Sequence, residues 1–138
     1  MSKTIKRELK VILDSNFLFI PSQFQVDVFE ELSNLLNRRF DPVLLSPTYR
    51  ELLEIAEKGS PKMRQQASLA LKFAEKCRVV RVEKGLKETH DDVIVRVAAD
   101  WGCPVATNDR ELRKRLRNMR VPVIFLRQRH RLELEGAV

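Results

Sequence analysis

The sequence predicts an α/β protein in which helices cover both faces of a largely parallel sheet. Short apolar runs recur along the chain, and most are unbroken rather than alternating, as in parallel strands buried on both sides. Helical periods of apolar residues fill the segments between these runs. We therefore expect a three-layer α/β/α sandwich with a central sheet of four to five strands. The predicted strands are 11–13, 43–45, 79–82, 105–107 and 123–126.

Start and stop signals bound the helices between these strands. Ser46-Pro47 and Ser60-Pro61 each combine an N-cap residue with Pro in the first turn. Glycines stand where two of the helices are expected to end, at 59 and 102. The predicted helices cover 26–36, about 47–58, 61–74, 93–101 and a basic segment that starts at 110.

Composition excludes several classes of protein. Hydrophobic residues make up 43% of the 138-residue chain, which is enough for a buried core. No apolar run approaches the length of a membrane helix, and Asp14 and Asn16 interrupt the one stretch that mimics a signal peptide. Cys77 and Cys103 lack the spacing of a zinc site or a disulfide framework. We expect a cytoplasmic protein with no membrane association.

Positive charge is concentrated near the carboxyl end of the chain. The net charge is +7, and from residue 110 onward nine Lys and Arg face three Glu. The residues Arg110, Arg113, Lys114 and Arg117 form one stripe of a helix, with Leu112, Leu116 and Met119 on the opposite side. A solvated helix face would explain the stripe, but the asymmetry of charge favours a nucleic-acid partner, because neutralised phosphates release counterions.

Two acidic residues follow predicted strands directly. Asp14 comes after 11–13, and Asp109 follows 105–108 just before the basic helix. Parallel α/β sheets bind ligands at the carboxyl ends of their strands, so both residues lie where a site is expected. Each also has an ordinary explanation, since Asp14 belongs to a turn-forming sequence and Asp109 to a helix cap.

Helical phase decides the interpretation of the other acids. Asp91 lies at the edge of the apolar arc of its helix, whereas Asp92 is expected to face solvent or to cap the helix. Glu51 lies off the apolar face formed by Leu52, Leu53 and Ala56, and its place in a first helical turn is favourable without any function.

Together the four acids predict a metal site. Asp14, Glu51, Asp91 and Asp109 fall at strand carboxyl ends or helix amino ends, on one edge of the sheet. Clustered carboxylates repel one another unless a cation neutralises them, and Mg²⁺ prefers such oxygen ligands. His90 and His130 are expected to be capping or surface groups rather than ligands.

These residues carry a resemblance to the PIN-domain nucleases. The chain resembles that superfamily from about residue 10 to 135, most closely the eukaryotic small-subunit ribosomal-RNA processing nucleases and their archaeal relatives, while VapC toxins share the sparser acidic pattern. The motifs are 11–16, 51–53, 91–94 and 106–110, and the likeness to the processing nucleases adds 105–115 and 121–125 with the basic tail.

The resemblance implies a single PIN-like domain over 1–138, with a basic tail from about 127, that acts as a divalent-metal-dependent endoribonuclease. The implied catalytic acids are Asp14, Glu51, Asp91 and Asp109. Mg²⁺ or Mn²⁺ is expected on Asp14, Asp91 and Asp109, with Asp92 left open because either member of the pair could align. Ser15, Asn16, Thr107 and Asn108 would orient the carboxylates. RNA would bind Arg110, Arg113, Lys114 and Arg117.

Other functions and partners stay open from the sequence. The same charge pattern fits a non-catalytic RNA-binding or assembly subunit, and the acids also fit a VapC-type toxin ribonuclease. A phosphatase or receiver domain is disfavoured, because Asn16 and Arg127 stand where those classes would have Asp and Lys. A homodimer, a ribosome-assembly partner and an antitoxin are each compatible with the sequence.

Overall fold

The computed structural model describes residues 8–138, and its elements alternate along the chain as the sequence predicts. The strands are β1 Leu9–Leu13, β2 Phe40–Leu45, β3 Arg78–Val80, β4 Val105–Ala106, β5 Val123–Arg127 and β6 Arg131–Glu135. The α-helices are α1 Ile20–Phe24, α2 Val28–Leu36, α3 Ser46–Lys58, α4 Pro61–Ala74, α5 His90–Trp101 and α6 Arg110–Asn118, and a 3₁₀ helix covers Ser15–Phe19.

The six strands form one sheet in the order β3-β2-β1-β4-β5-β6. The first five strands in this order are parallel, and β6 runs antiparallel to β5. The largely parallel sheet is confirmed, with one strand more than the four to five expected. The additional strand lies in the predicted basic tail, where Leu132 and Leu134 alternate with charged residues, a pattern typical of an edge strand.

Alternate side chains of the strands fill two separate cores, which confirms the three layers. One core combines Val11, Leu13 and Leu44 with α2, α3 and α4. The other combines Ile12, Val43 and Val105 with α5 and α6. Because both faces are covered, the central strands are buried on both sides and their sequences are apolar without alternation.

The order of the strands places a crevice after β1. From β1 the chain proceeds to β2 and β3 on one side, while β4 and β5 lie on the other. Such a reversal of strand order opens a ligand-binding crevice at the carboxyl ends of the strands. Here β1 ends at Leu13 and β4 at Ala106, and the Asp14 amide donates to the Ala106 carbonyl at 2.9 Å. The loops after these two strands therefore lie side by side.

Several local predictions need correction. Ser46 is the first residue of α3 rather than its cap, and its hydroxyl bonds the backbone of Val82 instead. Leu53 is 43% exposed and Met119, which follows the end of α6, is 55% exposed, so neither belongs to an apolar helix face. Within the described part of the chain, no helix is both long and apolar enough to cross a membrane.

Candidate active site

Asp14 is the most enclosed acid of the site. Its side chain follows β1 at the crevice and is only 7% exposed. Oδ1 accepts a hydrogen bond from the Ser15 amide at 2.8 Å, and Oδ2 accepts one from the Thr107 hydroxyl at 2.8 Å. These two bonds cap the 3₁₀ helix and link the loop after β1 to the loop after β4. The orientation of the carboxylate therefore depends on Thr107, which lies 93 positions from Asp14 in sequence.

The loop after β4 connects Asp109 to the same network. The Thr107 hydroxyl accepts from the Asp109 amide at 3.0 Å while it donates to Asp14. Asp109 caps α6, since its Oδ1 accepts from the amides of Glu111 and Leu112 at 2.9 and 3.0 Å. Asn16 Oδ1 accepts from the Asn108 amide at 3.1 Å. Thr107 is thus the shared contact between the two strand-end acids.

Glu51 projects from α3 toward the same crevice. The Ser15 hydroxyl donates to its Oε1 at 3.1 Å, and the His90 ring contacts its Oε2 through Nδ1. A carboxylate only accepts hydrogen bonds, so Nδ1 of His90 is the donor in this pair. The expectation that His90 is a capping or surface group is incomplete, because this first residue of α5 holds Glu51.

Asp91 and Asp92, adjacent in sequence, have different surroundings. Asp92 forms the capping box of α5 with Thr89, and its Oδ1 accepts from Arg115 at 2.8 Å. This agrees with its expected role as a capping residue. Asp91 lies on the neighbouring side of α5, close enough to Asp109 and Glu51 for their charges to act on its pKa. The charges of Asp109 and Glu51 therefore act on Asp91, whereas Thr89 and Arg115 engage the carboxylate of Asp92.

The acids also act on one another electrostatically. The pKa of Asp14 is raised from 3.8 to about 6, chiefly by burial and also by the negative charges of Asp91 and Glu51, while the hydrogen bonds of Thr107 and Ser15 lower it. Burial also raises the pKa of Asp91, followed by the repulsion from Asp109. Both shifts mean that ionised carboxylates are unfavourable here without a cation.

The donor chemistry of this region fits a divalent cation. Every acid is a hard oxygen donor, as Mg²⁺ and Mn²⁺ prefer, and Asp14 combines burial with repulsion from two like charges. Within residues 8–138, however, no three acidic, His or Cys side chains are already arranged as a metal-binding group. Thr107 links Asp14 to Asp109 and Ser15 links Asp14 to Glu51, so three of the acids are connected through neighbouring residues rather than in a preformed cage.

The basic residues that were predicted to bind RNA differ in how freely they are presented. Arg110 and Lys114 are exposed on α6. The Arg113 guanidinium lies 4.1 Å from the centroid of the Phe125 ring, and Arg117 pairs with Glu135 at 3.4 Å. The predicted stripe therefore exists, but two of its members also hold α6 against β5 and β6.

Sequence reasoning missed three contacts of the site. His90 on Glu51 could have been suspected from its place beside the acidic pair. The Thr89-x-x-Asp92 spacing is a recognisable capping signal. The pairing of Arg115 with Asp92 joins α6 to α5 and has no local signal.

The domain is a parallel α/β fold with acids at a strand-order reversal and a basic helix beside them. Together these features are typical of a class of enzymes that act on nucleic acids. Residues 11–129 match the family described as "PIN like domain". The chain belongs to this family.

Individual relatives agree with this assignment. Ribonuclease VapC4 of Methanocaldococcus jannaschii is 26% identical over 129 residues, covering 94% of this chain and 98% of that protein. The rRNA-processing protein FCF1 of Saccharomyces cerevisiae is 32% identical over 120 residues, or 86% of this chain and 59% of FCF1.

Solved structures give the same result. The PIN domain endonuclease Utp24 superposes with a TM-score of 0.74 at 28% identity, covering 94% of this chain and 92% of that one. A VapBC2 structure from Rickettsia felis, bound to a DNA fragment from its promoter, has a TM-score of 0.63 at 18% identity over 86% of this chain and 100% of that one. The second likeness concerns the fold alone.

Proposed function

We propose that this protein is a divalent-metal-dependent endoribonuclease that hydrolyses RNA phosphodiester bonds. The observation that carries the proposal is Asp14, a buried carboxylate at the strand-order reversal that two hydrogen bonds hold and on which the charges of Asp91 and Glu51 act. Burying a carboxylate near other negative charges costs free energy, so its presence here supports a functional role for Asp14. Its relatives named as ribonucleases and as a PIN domain endonuclease support the same class of reaction.

Asp14, Asp91 and Asp109 would hold Mg²⁺ or Mn²⁺, with Glu51 contributing to a second position. When bound, such an ion supplies charge stabilisation at the phosphoryl oxygens and makes a water more acidic. The family is generally dependent on divalent metals. Asp92 is not proposed as a ligand, because its carboxylate is engaged by Thr89 and Arg115.

The surrounding polar residues would fix the acids for this task. Thr107 holds Asp14 by donating to it and positions Asp109 by accepting its amide hydrogen. Ser15 and His90 hold the two oxygens of Glu51. Asn16 and Asn108 connect the two loops, so that the acids keep their relative positions. Such supporting contacts are commonly worth about 10- to 100-fold in metal affinity or activity.

The biological role that we propose is processing of ribosomal RNA in the cytoplasm by a single domain. The similarity to FCF1 supports this role, although the matched region is 59% of that protein. A VapC-type toxin, which would have an antitoxin partner, is the second candidate, because the matches to VapC4 and to VapC9 of Archaeoglobus fulgidus cover 98% and 87% of those proteins.

A cleavage assay with a matched variant tests the activity. The purified chain is incubated with pre-ribosomal RNA and with unrelated single-stranded RNA, in Mn²⁺, Mg²⁺ or a chelator, beside Asp14→Asn. We expect cleavage that requires the metal ion and is lost in Asp14→Asn, while RNA binding is retained or improved because one negative charge is removed.

Two results would contradict the proposal. Cleavage that persists in chelator would exclude the metal-dependent reaction. RNA binding without any cleavage, together with full biological activity of Asp14→Asn, would identify a non-catalytic RNA-binding or assembly subunit.

Preference for pre-ribosomal over unrelated RNA separates the processing role from the toxin role.

A further inference from the structure

A basic cleft lies directly beside the acidic region, by which we mean Asp14, Glu51, Asp91 and Asp109. Its volume is about 510 Å³, and it is formed by the loop after β4, the first turns of α6 and the β5–β6 turn. Asn108 and Arg110 line it, and these residues flank Asp109 in sequence. Within the described part of the chain, no carboxylate lines the cleft. The residues that matter for its chemistry are Phe24, Arg110, Arg113, Phe125, Arg127 and Arg129.

Aromatic rings and a guanidinium plane form part of the inner surface of the cleft. Phe125 is buried in the sheet, and the Arg113 guanidinium lies over its ring at 4.1 Å. Half-buried Phe24 contributes a second aromatic side chain to the lining. Aromatic rings and guanidinium planes are the surfaces on which unpaired bases stack in RNA-binding proteins.

The outer rim of the cleft is a strained, arginine-bearing turn. His130 N donates to the Arg127 carbonyl at 3.3 Å, and the two residues between them have positive φ, 53° at Gln128 and 65° at Arg129. Asn and Gly adopt such backbone conformations far more readily than Gln and Arg. An arginine is therefore held at a position where folding alone would favour glycine, a pattern that points to a functional side chain.

We propose that this cleft binds one unpaired nucleotide of the RNA, next to the phosphodiester that reaches the acidic region. The phosphate would contact Arg110 and Arg129, whereas Arg127 pairs with Glu133 at 3.2 Å, and the base would pack on Phe24 and on the Arg113 guanidinium that covers Phe125. Only an unpaired nucleotide can turn its base into such a cleft, so the new element is the place where that nucleotide binds and the residues that hold it. This inference rests on the proposed function, because it assumes that RNA is what reaches the acids.

An acidic peptide would also satisfy the charge of the rim. RNA is favoured because the lining offers aromatic and guanidinium planes in addition to positive charge. A base would stack on such planes, whereas the carboxylates of an acidic peptide would use only the charge. The cleft also shares the 108–110 segment with the acidic region, so one continuous strand would contact both.

The test is a binding measurement under conditions in which no cleavage occurs. Fluorescence anisotropy with full-length Asp14→Asn in chelator compares a labelled single-stranded oligouridylate of about eight nucleotides with a duplex of the same length. We expect tighter binding of the single strand and no competition by an oligoglutamate peptide. Equal affinity for the duplex, or effective competition by the peptide, would overturn the proposal.

Two variants in this background locate the subsite. Arg129→Gln is expected to weaken binding of the single strand about tenfold and to reduce the slope of log affinity against log salt by about 0.7, because one phosphate contact is lost. Phe24→Leu is expected to weaken it through lost stacking with the salt slope unchanged. The matched control is Arg64→Gln, an exposed arginine of α4 outside the cleft, which should bind as the parent does.

A third variant separates binding from folding. Arg129→Gly removes the side chain and also relieves the positive φ, so it should raise the unfolding temperature while weakening binding as Arg129→Gln does. If both Arg129 variants and Phe24→Leu bind RNA like the parent, the cleft is not a nucleotide subsite. That result, together with metal-dependent cleavage by the wild-type protein, would remove only this inference. Weakened binding by these variants, together with no cleavage by the wild-type protein in Mn²⁺ or Mg²⁺, would remove only the proposed chemistry.

Discussion

The acidic region and the basic surface of α6, which includes Arg110 and Lys114, are built in opposite ways. The acids are few and at least half-buried, and two of them are fixed by contacts from distant segments, Asp14 by Thr107 at 2.8 Å and Glu51 by Ser15 and His90. The cations Arg110 and Lys114 are exposed on a helix surface that one short stretch of sequence encodes. The contrast suggests that geometry is critical at the acids, whereas the sum of charge is what matters on the basic surface.

Elementary electrostatics explains this difference. Carboxylates brought together repel one another, so they keep their positions only if hydrogen bonds hold them and a cation compensates them. Long cationic side chains attract a polyanion over about 10 Å at ordinary salt, whatever their exact conformations. A change of one atom should therefore matter greatly at the acids and little on the surface.

The largest expected effect contrasts two adjacent acids. Asp91→Asn should reduce metal-dependent cleavage by about 1000-fold, because a ligand worth several kcal/mol of transition-state stabilisation is lost. Asp92→Asn should leave the cleavage rate nearly unchanged and lower only the unfolding temperature, since Asp92 caps α5 and pairs with Arg115. Single-turnover cleavage and thermal unfolding of both variants measure this, and a reversed order would assign the ligand to Asp92.

The next effect concerns the contact shared by Asp14 and Asp109. Thr107→Val keeps the shape of the side chain but removes both hydrogen bonds of its hydroxyl, so cleavage should fall about 10- to 100-fold. Thr107→Ser retains the hydroxyl and should restore most of the activity. Titration of cleavage against Mn²⁺ is the measurement, and equal activity of the two variants would show that the hydroxyl has no positioning role.

A third prediction concerns stability and pH in the metal-free protein. The pKa of Asp14 is raised to about 6, chiefly by burial, so the folded state binds this proton more tightly than the unfolded state does. The folded state should therefore lose about 3 kcal/mol of stability from this group as the pH rises from about 4 to 7, with no further change above.

Urea unfolding of the wild type and of Asp14→Asn in chelator, at several pH values, isolates this contribution as the difference between the two proteins. Asp14→Asn should be the more stable protein at pH 7, with the gap closing near pH 4. A gap that is independent of pH would contradict the raised pKa.

The smallest expected effect lies on the basic surface. Arg110→Gln should weaken RNA binding about threefold and less so at high salt, because a single exposed charge is largely screened. Cleavage at saturating RNA should not change. If the maximal cleavage rate fell as much as in Thr107→Val, Arg110 would contribute to the cleavage step itself. The contrast between the acidic region and the basic surface of α6 would then be wrong.

Much of this architecture could be predicted from local sequence. The unbroken apolar runs specify parallel strands, because strands covered on both faces have no polar side. The phase of Asp91 and Asp92 on α5 was also readable, since helical geometry alone separates their directions. The basic stripe of α6 needed only a helical period.

The tertiary structure decided what depends on contacts between distant segments. β6 is an edge strand whose pairing with β5 stabilises it, whereas the sequence of the same residues predicts only a basic tail. The burial of Asp14, the hydroxyl that Thr107 shares with two acids, and the placement of His90 on Glu51 all arise from loops that meet only when the sheet has formed. Sequence determines which groups are present and on which side of each element they lie, whereas distances and burial, which set pKa values and reactivity, exist only after the chain has folded.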